Sequence, residues 1–467
     1  MTPRTVFVTS KCFVGDGQPG QPATIVVQNG TIRSIALGRR LAPQDAIDNF
    51  DTSTDEYVDV GNKWILPGLV DAHVHLNEPG RTEWEGFATG TAAAASGGVT
   101  TVIDMPLNAI PPTTTVANLH EKLAAAKGQC RVDVGFYGGV IPGNENDLVP
   151  LAKEGVKGFK CFLIESGVDE FPCVNEQQVL AAMPKLLEAK SVFMFHAELD
   201  TSHNDNPSSI PSNTEDAAPE DYSTFLNSRP QSLEIDAIDL ISRCAQQYPQ
   251  LQCHIVHLSA SRALPRLKQL RQHLNLTVET CFHYLTLSSE QIKKGQTLFK
   301  CCPPIRERSN QDELWRGLLE GEIDFIVSDH SPCTTELKKL EAGHFMQAWG
   351  GIGGLGLGLS LIWTEANKRK VGMERIVEWC CTRPAKQVGL QKQKGQIRVG
   401  FDADFVVFDA DLQFTVNKSE LYFKNKASPY EGMTLTGAVD RTYLRGQKIF
   451  SRKEGFRGSE PSGKLLL

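Results

Sequence analysis

The chain has no run of five basic residues, no apolar stretch near the ~18 residues of a membrane span, and no Cys-x-x-Cys pair. With a net charge of -7, the first absence argues against a nucleic-acid or anionic-membrane surface. The second argues against a transmembrane helix. The third, in a chain whose 12 cysteines include the adjacent pairs Cys301-Cys302 and Cys380-Cys381, matches neither a zinc knuckle nor a disulfide framework. No secretory signal opens the sequence, so reduced thiols in an intracellular, cytoplasmic setting are expected, and the sequons at Asn29, Asn275 and Asn417 read as coincidental. The start, basic and rich in hydroxyls before Asp16, faintly resembles a transit peptide. TVFVT, from Thr5 to Thr9, instead alternates as a strand would, and organellar location is left open. The closing KLLL is not an SKL-type signal, and no repeat of solenoid period is present.

What is there is a 467-residue chain, 40% hydrophobic, long enough for a large buried core. Residues 1–61 read as short strands, with Asn29-Gly30 as a type I′ hairpin turn between two of them. From residue 62 to about 390, buried β runs such as VTTVIDMP, VKGFKCFL, SVFMFHAE and IDFIVSDHSP alternate with helical text such as TVANLHEKLAAAKG. Eight such β segments predict a (β/α)₈ barrel. Residues 391–467 return to strands, so both termini are expected to build one small β-sandwich domain beside the barrel. Residues 200–230, polar and rich in Ser, Asn and Pro, would be a loop over the active-site face, a candidate lid.

His73-Val74-His75 ends an apolar run. Residues i and i+2 of a strand share a face, so both imidazoles can reach one metal. His196, His257 and Asp329 each end a further β segment, where the catalytic residues of barrels sit. Four histidines and a carboxylate suit zinc. Lys160 lies in FKCFL, a strand buried on both sides, where burial favours the neutral amine. That amine can take up CO₂ as a carbamate, an anionic ligand able to bridge two metals. Gly351, Gly353 and Gly356 satisfy GxGxxG, with Glu374 beyond them, but no strand precedes them as a dinucleotide fingerprint requires. A backbone-lined entrance to the last barrel helix is the better reading. His254 and His330 are expected to face away from the metal, His120 and His273 to lie at the surface, and His283 to stand near the mouth.

The segment GNKWILPGLVDAHVH and the late GFDADFVVFD are similar to those of the cyclic amidohydrolases: dihydroorotases, dihydropyrimidinases, hydantoinases and allantoinases. The likeness covers nearly the whole chain. It implies two zinc ions per subunit, with His73, His75 and Asp329 on one, His196 and His257 on the other, and carbamylated Lys160 between them. It also implies a homotetramer. HVHLNEPGRTEWEGF, MPLNAIPPT, KCCPPIRE, VSDHSPC and KASPYEG most resemble the allantoinase branch. That branch implies hydrolytic opening of the hydantoin ring of allantoin to allantoate, in purine catabolism, by a hydroxide bridging the two zincs, with Asp329 as the proton carrier.

Two positions separate the branches. Dihydroorotases carry, two residues after the second metal histidine, an Arg that pairs with the substrate carboxylate; Asn77 stands there. Dihydropyrimidinases place Tyr five residues after the bridging lysine; Glu165 stands there. The family's main-chain contacts to the ring map to Cys302 and Ser331, and Cys302 departs from the Ser of bacterial allantoinases. The alternatives are a hydantoinase or dihydropyrimidinase acting on another neutral cyclic imide, and a non-catalytic scaffold. Retention of all six ligand residues argues against the scaffold.

Overall fold

In the computed structural model, residues 3–201 and 218–467 are described. Of the expected lid, residues 202–217 lie outside the described residues, while Tyr222–Ser228 form a helix. None of the described helices is long and apolar enough to cross a membrane.

The alternation of buried β runs and helical text becomes a parallel (β/α)₈ barrel. Its strands are Leu69–Val74, Val99–Asp104, Asp133–Phe136, Phe159–Phe162, Phe193–His196, Cys253–Ile255, Leu276–Cys281 and Phe325–Val327. Adjacent strands pair in parallel, the third reaching the fourth through Gly138–Gly139. Closure between eighth and first comes from the Val74–His330 bridge. The Asp71 carboxylate reinforces it by accepting the Ser328 N–H at 3.1 Å. The first, second, fourth and fifth strands are buried at every position, as parallel strands must be when helices cover their outer face and the barrel's own side chains fill the inner one. The helices begin where capping chemistry allows: Asn175 and Gln178 form a reciprocal capping box for Glu176–Glu188.

Strands from both termini share one eight-stranded sheet. Trp64–Pro67 pairs antiparallel with Phe405–Phe408 and parallel with the N-terminal strand of the chain, Arg4–Cys12, joining the two ends of the chain. At its hairpin, Asn29 and Gly30 both have positive φ (54° and 76°), as a type I′ turn demands. Phe7 packs edge-on against Phe405 and Tyr443, with ring centroids 5.2 and 4.9 Å apart. The closing residues also have a structural role: Leu465–Leu466 pair with Val134 and Gly135 of the third barrel strand.

An ionic cluster joins sheet and barrel. Lys394 Nζ lies 2.6, 2.8 and 2.7 Å from carboxylate oxygens of Asp133, Asp402 and Asp404, and Arg445 also holds Asp133 at 2.7 Å. Lys394→Met leaves three close carboxylates with one guanidinium. Removing one partner of a buried ion pair costs about 3–5 kcal/mol, so the urea midpoint at pH 7 is expected to fall accordingly. Because the three carboxylates raise the Lys394 pKa against the pull of burial, the stabilisation is full below the ordinary lysine value of about 10. It fades as pH rises through the folded-state value. A wild-type midpoint in the variant would refute this account.

Candidate active site

The C-terminal ends of the barrel strands open into a cavity of about 480 Å³, the size of a small-molecule site. His73, His75, Lys160, His196, His257 and Asp329 all line it, as do Cys302 and Ser331.

His73 and His75 sit at the end of the first strand and Asp329 just past the eighth. Asp329 Oδ1 lies 3.2 Å from His73 Nε2 and 3.5 Å from His75 Nε2, so three ligand atoms converge on one point. His257 stands between the two sets of imidazoles, its ring centroid 5.4 Å from that of His73 and 4.6 Å from that of His196. His257 and Asp329 have positive φ (39° and 43°), a region costly for such residues and tolerated where a site over-determines the backbone.

The surroundings fit these side chains for a cation. A ligating histidine usually donates its second ring N–H to a carboxylate, a backbone carbonyl or water. His73 Nδ1 is 2.5 Å from Glu279 Oε1 and His196 Nε2 is 2.8 Å from Glu198 Oε2. His75 Nδ1 instead accepts from the Asn108 Nδ2 amide donor at 3.3 Å. His73 Nε2, turned to the centre, is buried without a hydrogen-bond partner among the described residues. Burial lowers the pKa of His75, His196 and His257, keeping their rings in the neutral form that binds metals. The carboxylates behind them stay charged. Burial opposes it, yet Arg229 and His196 hold Glu198 down at about 2, and His73 and His254 do the same for Glu279.

Lys160 is 1% exposed, and burial brings its ammonium down to about 8 against the pull of Asp329 and Glu279. It lines the same cavity as both ligand sets, and its charge adds to burial in lowering the pKa of His75, His196 and His257.

The remaining expectations divide. Cys302 carries no hydrogen bond on its main-chain N–H or C=O among the described residues, which leaves both for a ligand. Ser331 gives its N–H to Ile352 O at 3.1 Å and its hydroxyl to Asp329 O at 2.9 Å. That leaves its carbonyl. Asn77 does not line the cavity; its Nδ2 reaches Pro332 O at 3.4 Å. Of the other histidines, His254 turns to Glu279 and Thr277, and His330 to Glu85 at 3.0 Å. His283 stands with Cys281 and Asp329, neither ring nitrogen bonded among the described residues. The glycine-rich segment is an entrance wall: Gly350 lines the cavity and Gly351 N–H donates to Lys300 O at 2.9 Å.

The sequence reading missed Glu279, Glu198, Asn108 and Arg229. A buried acid inside an apolar strand was the available sign of Glu279, in LTVETC.

The model of the Amidohydrolase family matches residues 64–449. An allantoinase of Saccharomyces cerevisiae is 50% identical over 98% of this chain and 98% of its own length. One from Streptomyces avermitilis is 44% identical over 96% and 95%. Among solved structures, the L-hydantoinase (dihydropyrimidinase) of Arthrobacter aurescens superposes with a TM-score of 0.89 at 27% identity, covering 100% of both chains.

Proposed function

The chain belongs to the amidohydrolase family and, within it, to the allantoinases; from that premise we propose that its cavity opens the hydantoin ring of allantoin by hydrolysis, releasing allantoate. The observation that carries the reading is the end-to-end likeness to curated allantoinases in a chain whose six ligand-type side chains all line one cavity. The cytoplasmic setting and the homotetramer implied by the family resemblance belong to the same proposal.

His73, His75 and Asp329 would hold one zinc, His196 and His257 a second, with Lys160, as its carbamate, shared between them. Zinc bound there would lower the pKa of water towards 7 and polarise the ring carbonyl. The protein's own part is positioning and proton transfer. Glu279, Glu198 and Asn108 fix the ring orientations of His73, His196 and His75. Main-chain groups of Cys302 and the Ser331 carbonyl would hold the amides of the ring. Water adds across the C–N bond: the carbonyl carbon gains oxygen and the ring nitrogen gains hydrogen. Asp329 would accept the proton from the attacking water and deliver it to the departing nitrogen.

The test is turnover by pure, zinc-loaded protein on allantoin, dihydroorotate and dihydrouracil. Allantoin is expected to be opened and dihydroorotate left intact. Efficient opening of dihydroorotate or dihydrouracil with no action on allantoin would overturn the reading in favour of another cyclic amidase.

A further inference from the structure

What would grip the part of the substrate outside the ring is not among the groups considered so far. Besides Lys160, which is assigned to the metal site, the cavity wall carries two cationic side chains, and both are committed. Arg229 pairs with Glu198, and Lys300 Nζ donates to Met346 O at 3.1 Å and Ala348 O at 2.6 Å. The wall's carboxylates are Asp329, at the metal site, and Glu165. Glu165 has no hydrogen bond or ion pair among the described residues.

Its backbone is fixed. Ile164 before it is buried, and Ser166 after it donates its hydroxyl to Phe171 O at 2.6 Å. The loop closes where Val174 N–H meets Phe162 O at 2.9 Å, and a Cβ on Gly167 would lie 3.6 Å from the Trp349 ring. An uncommitted carboxylate on an anchored loop is an acceptor in search of N–H donors. A urea group offers two or more N–H bonds and no charge, whereas a carboxylate arm would meet repulsion.

We propose that Glu165 is a specificity-determining residue that accepts N–H donors from the exocyclic, ureido-type arm of the substrate and disfavours rings with an anionic arm. This deepens the proposed allantoin hydrolysis and rests on it. It also moves the exclusion of carboxylate-bearing rings away from Asn77, which does not line the cavity.

Hydrogen bonds to charged groups are strong, but Glu165 is exposed and solvent screens it, so the effect expected is about tenfold rather than a hundredfold. The experiment measures kcat/KM of zinc-loaded wild type, E165A and E165Q on allantoin and on unsubstituted hydantoin, which lacks the arm. If hydantoin is not turned over, its inhibition constant against allantoin replaces its kcat/KM. The selectivity for allantoin over hydantoin should fall about tenfold in E165A, through KM, and by less in E165Q, which keeps an acceptor oxygen. E165R should bind hydantoin-5-acetate more tightly than wild type does. Selectivity within twofold of wild type in E165A, or equal losses on both compounds, overturns the role of Glu165 while leaving the proposed reaction intact. Wild type inert towards allantoin overturns both.

Discussion

Asp329→Asn is expected to lower kcat by about 10²–10⁴-fold, the contribution of general acid–base assistance, while the protein retains its zinc. The expectation rests on the two tasks assigned to one side chain. Asp329 Oδ1 faces His73 and His75 within 3.5 Å, a ligand position that an amide oxygen could still fill. An amide cannot take up a proton at neutral pH, so only the transfer should fail. KM should change less, because the contacts assigned to the ring come from the main chain of Cys302 and Ser331. Burial opposes ionisation of Asp329, but the neighbouring His73 and His75 hold its pKa well below the usual carboxylate range. A depressed carboxylate is charged, and the proton carrier competent, above that value. It is lost only as pH falls through it. The acidic limb of the wild-type kcat profile should therefore lie at low pH, and in Asp329→Asn it should vanish or move. Zinc content measured on the same samples separates the roles: both metals retained with near-wild-type kcat would make Asp329 a ligand alone.

That His73, His75, Lys160, His196, His257 and Asp329 share one cavity could be anticipated from the sequence, because each stands in or just after a buried β run. His73 and His75 are two apart at a strand end and His196 closes its strand, so alternation aims them; His257 and Asp329 lie two residues past Ile255 and Val327, both at positive φ, where only their place at the barrel mouth was readable. Asn77 shows where such rules stop. It lies past the end of its strand at Val74, with φ at 62°, so alternation no longer dictates its direction and its side chain turns to Pro332. The supporting carboxylates were hidden for another reason. Glu279 sits on the seventh strand yet serves His73 of the first, 206 positions away in the chain, and His254 of the neighbouring sixth, 25 away, pairings that only the assembled barrel makes. Asn108 reaches His75 in the same way, from a loop with positive φ. The terminal sheet was legible from period-2 text at both ends. The pairing of the final leucines with the third barrel strand was not, since two apolar residues carry no periodicity.

Lys160→Ala is expected to lose metal and activity together, with kcat down by about 10²-fold or more; loss of a mere supporting partner already weakens metal binding 10–100-fold. Lys160 alone among the six is not a ligand in its ordinary cationic state. Lining the same cavity as both ligand sets, its ammonium would repel a metal unless the charge were removed. Burial brings it to about 8, so the free-amine fraction at neutral pH is roughly a few hundredfold above that of an ordinary lysine near 10.4. That amine attacks CO₂ through its lone pair, loses a proton to water and becomes an anionic carbamate with two oxygens. Because the neutral amine prevails above the folded-state value and the ammonium below it, reconstitution of metal-free protein with zinc and bicarbonate should run faster at about pH 8.5 than at about pH 6.5. A short carboxylate fills the same gap without lysine. Acetate or propionate with zinc should therefore restore part of the turnover of Lys160→Ala, and should do nothing for wild type. Metal analysis and turnover on the same preparations decide the matter: a Lys160→Ala protein with full zinc and normal kcat would leave Lys160 as a buried amine beside the site, with no part in holding the metals.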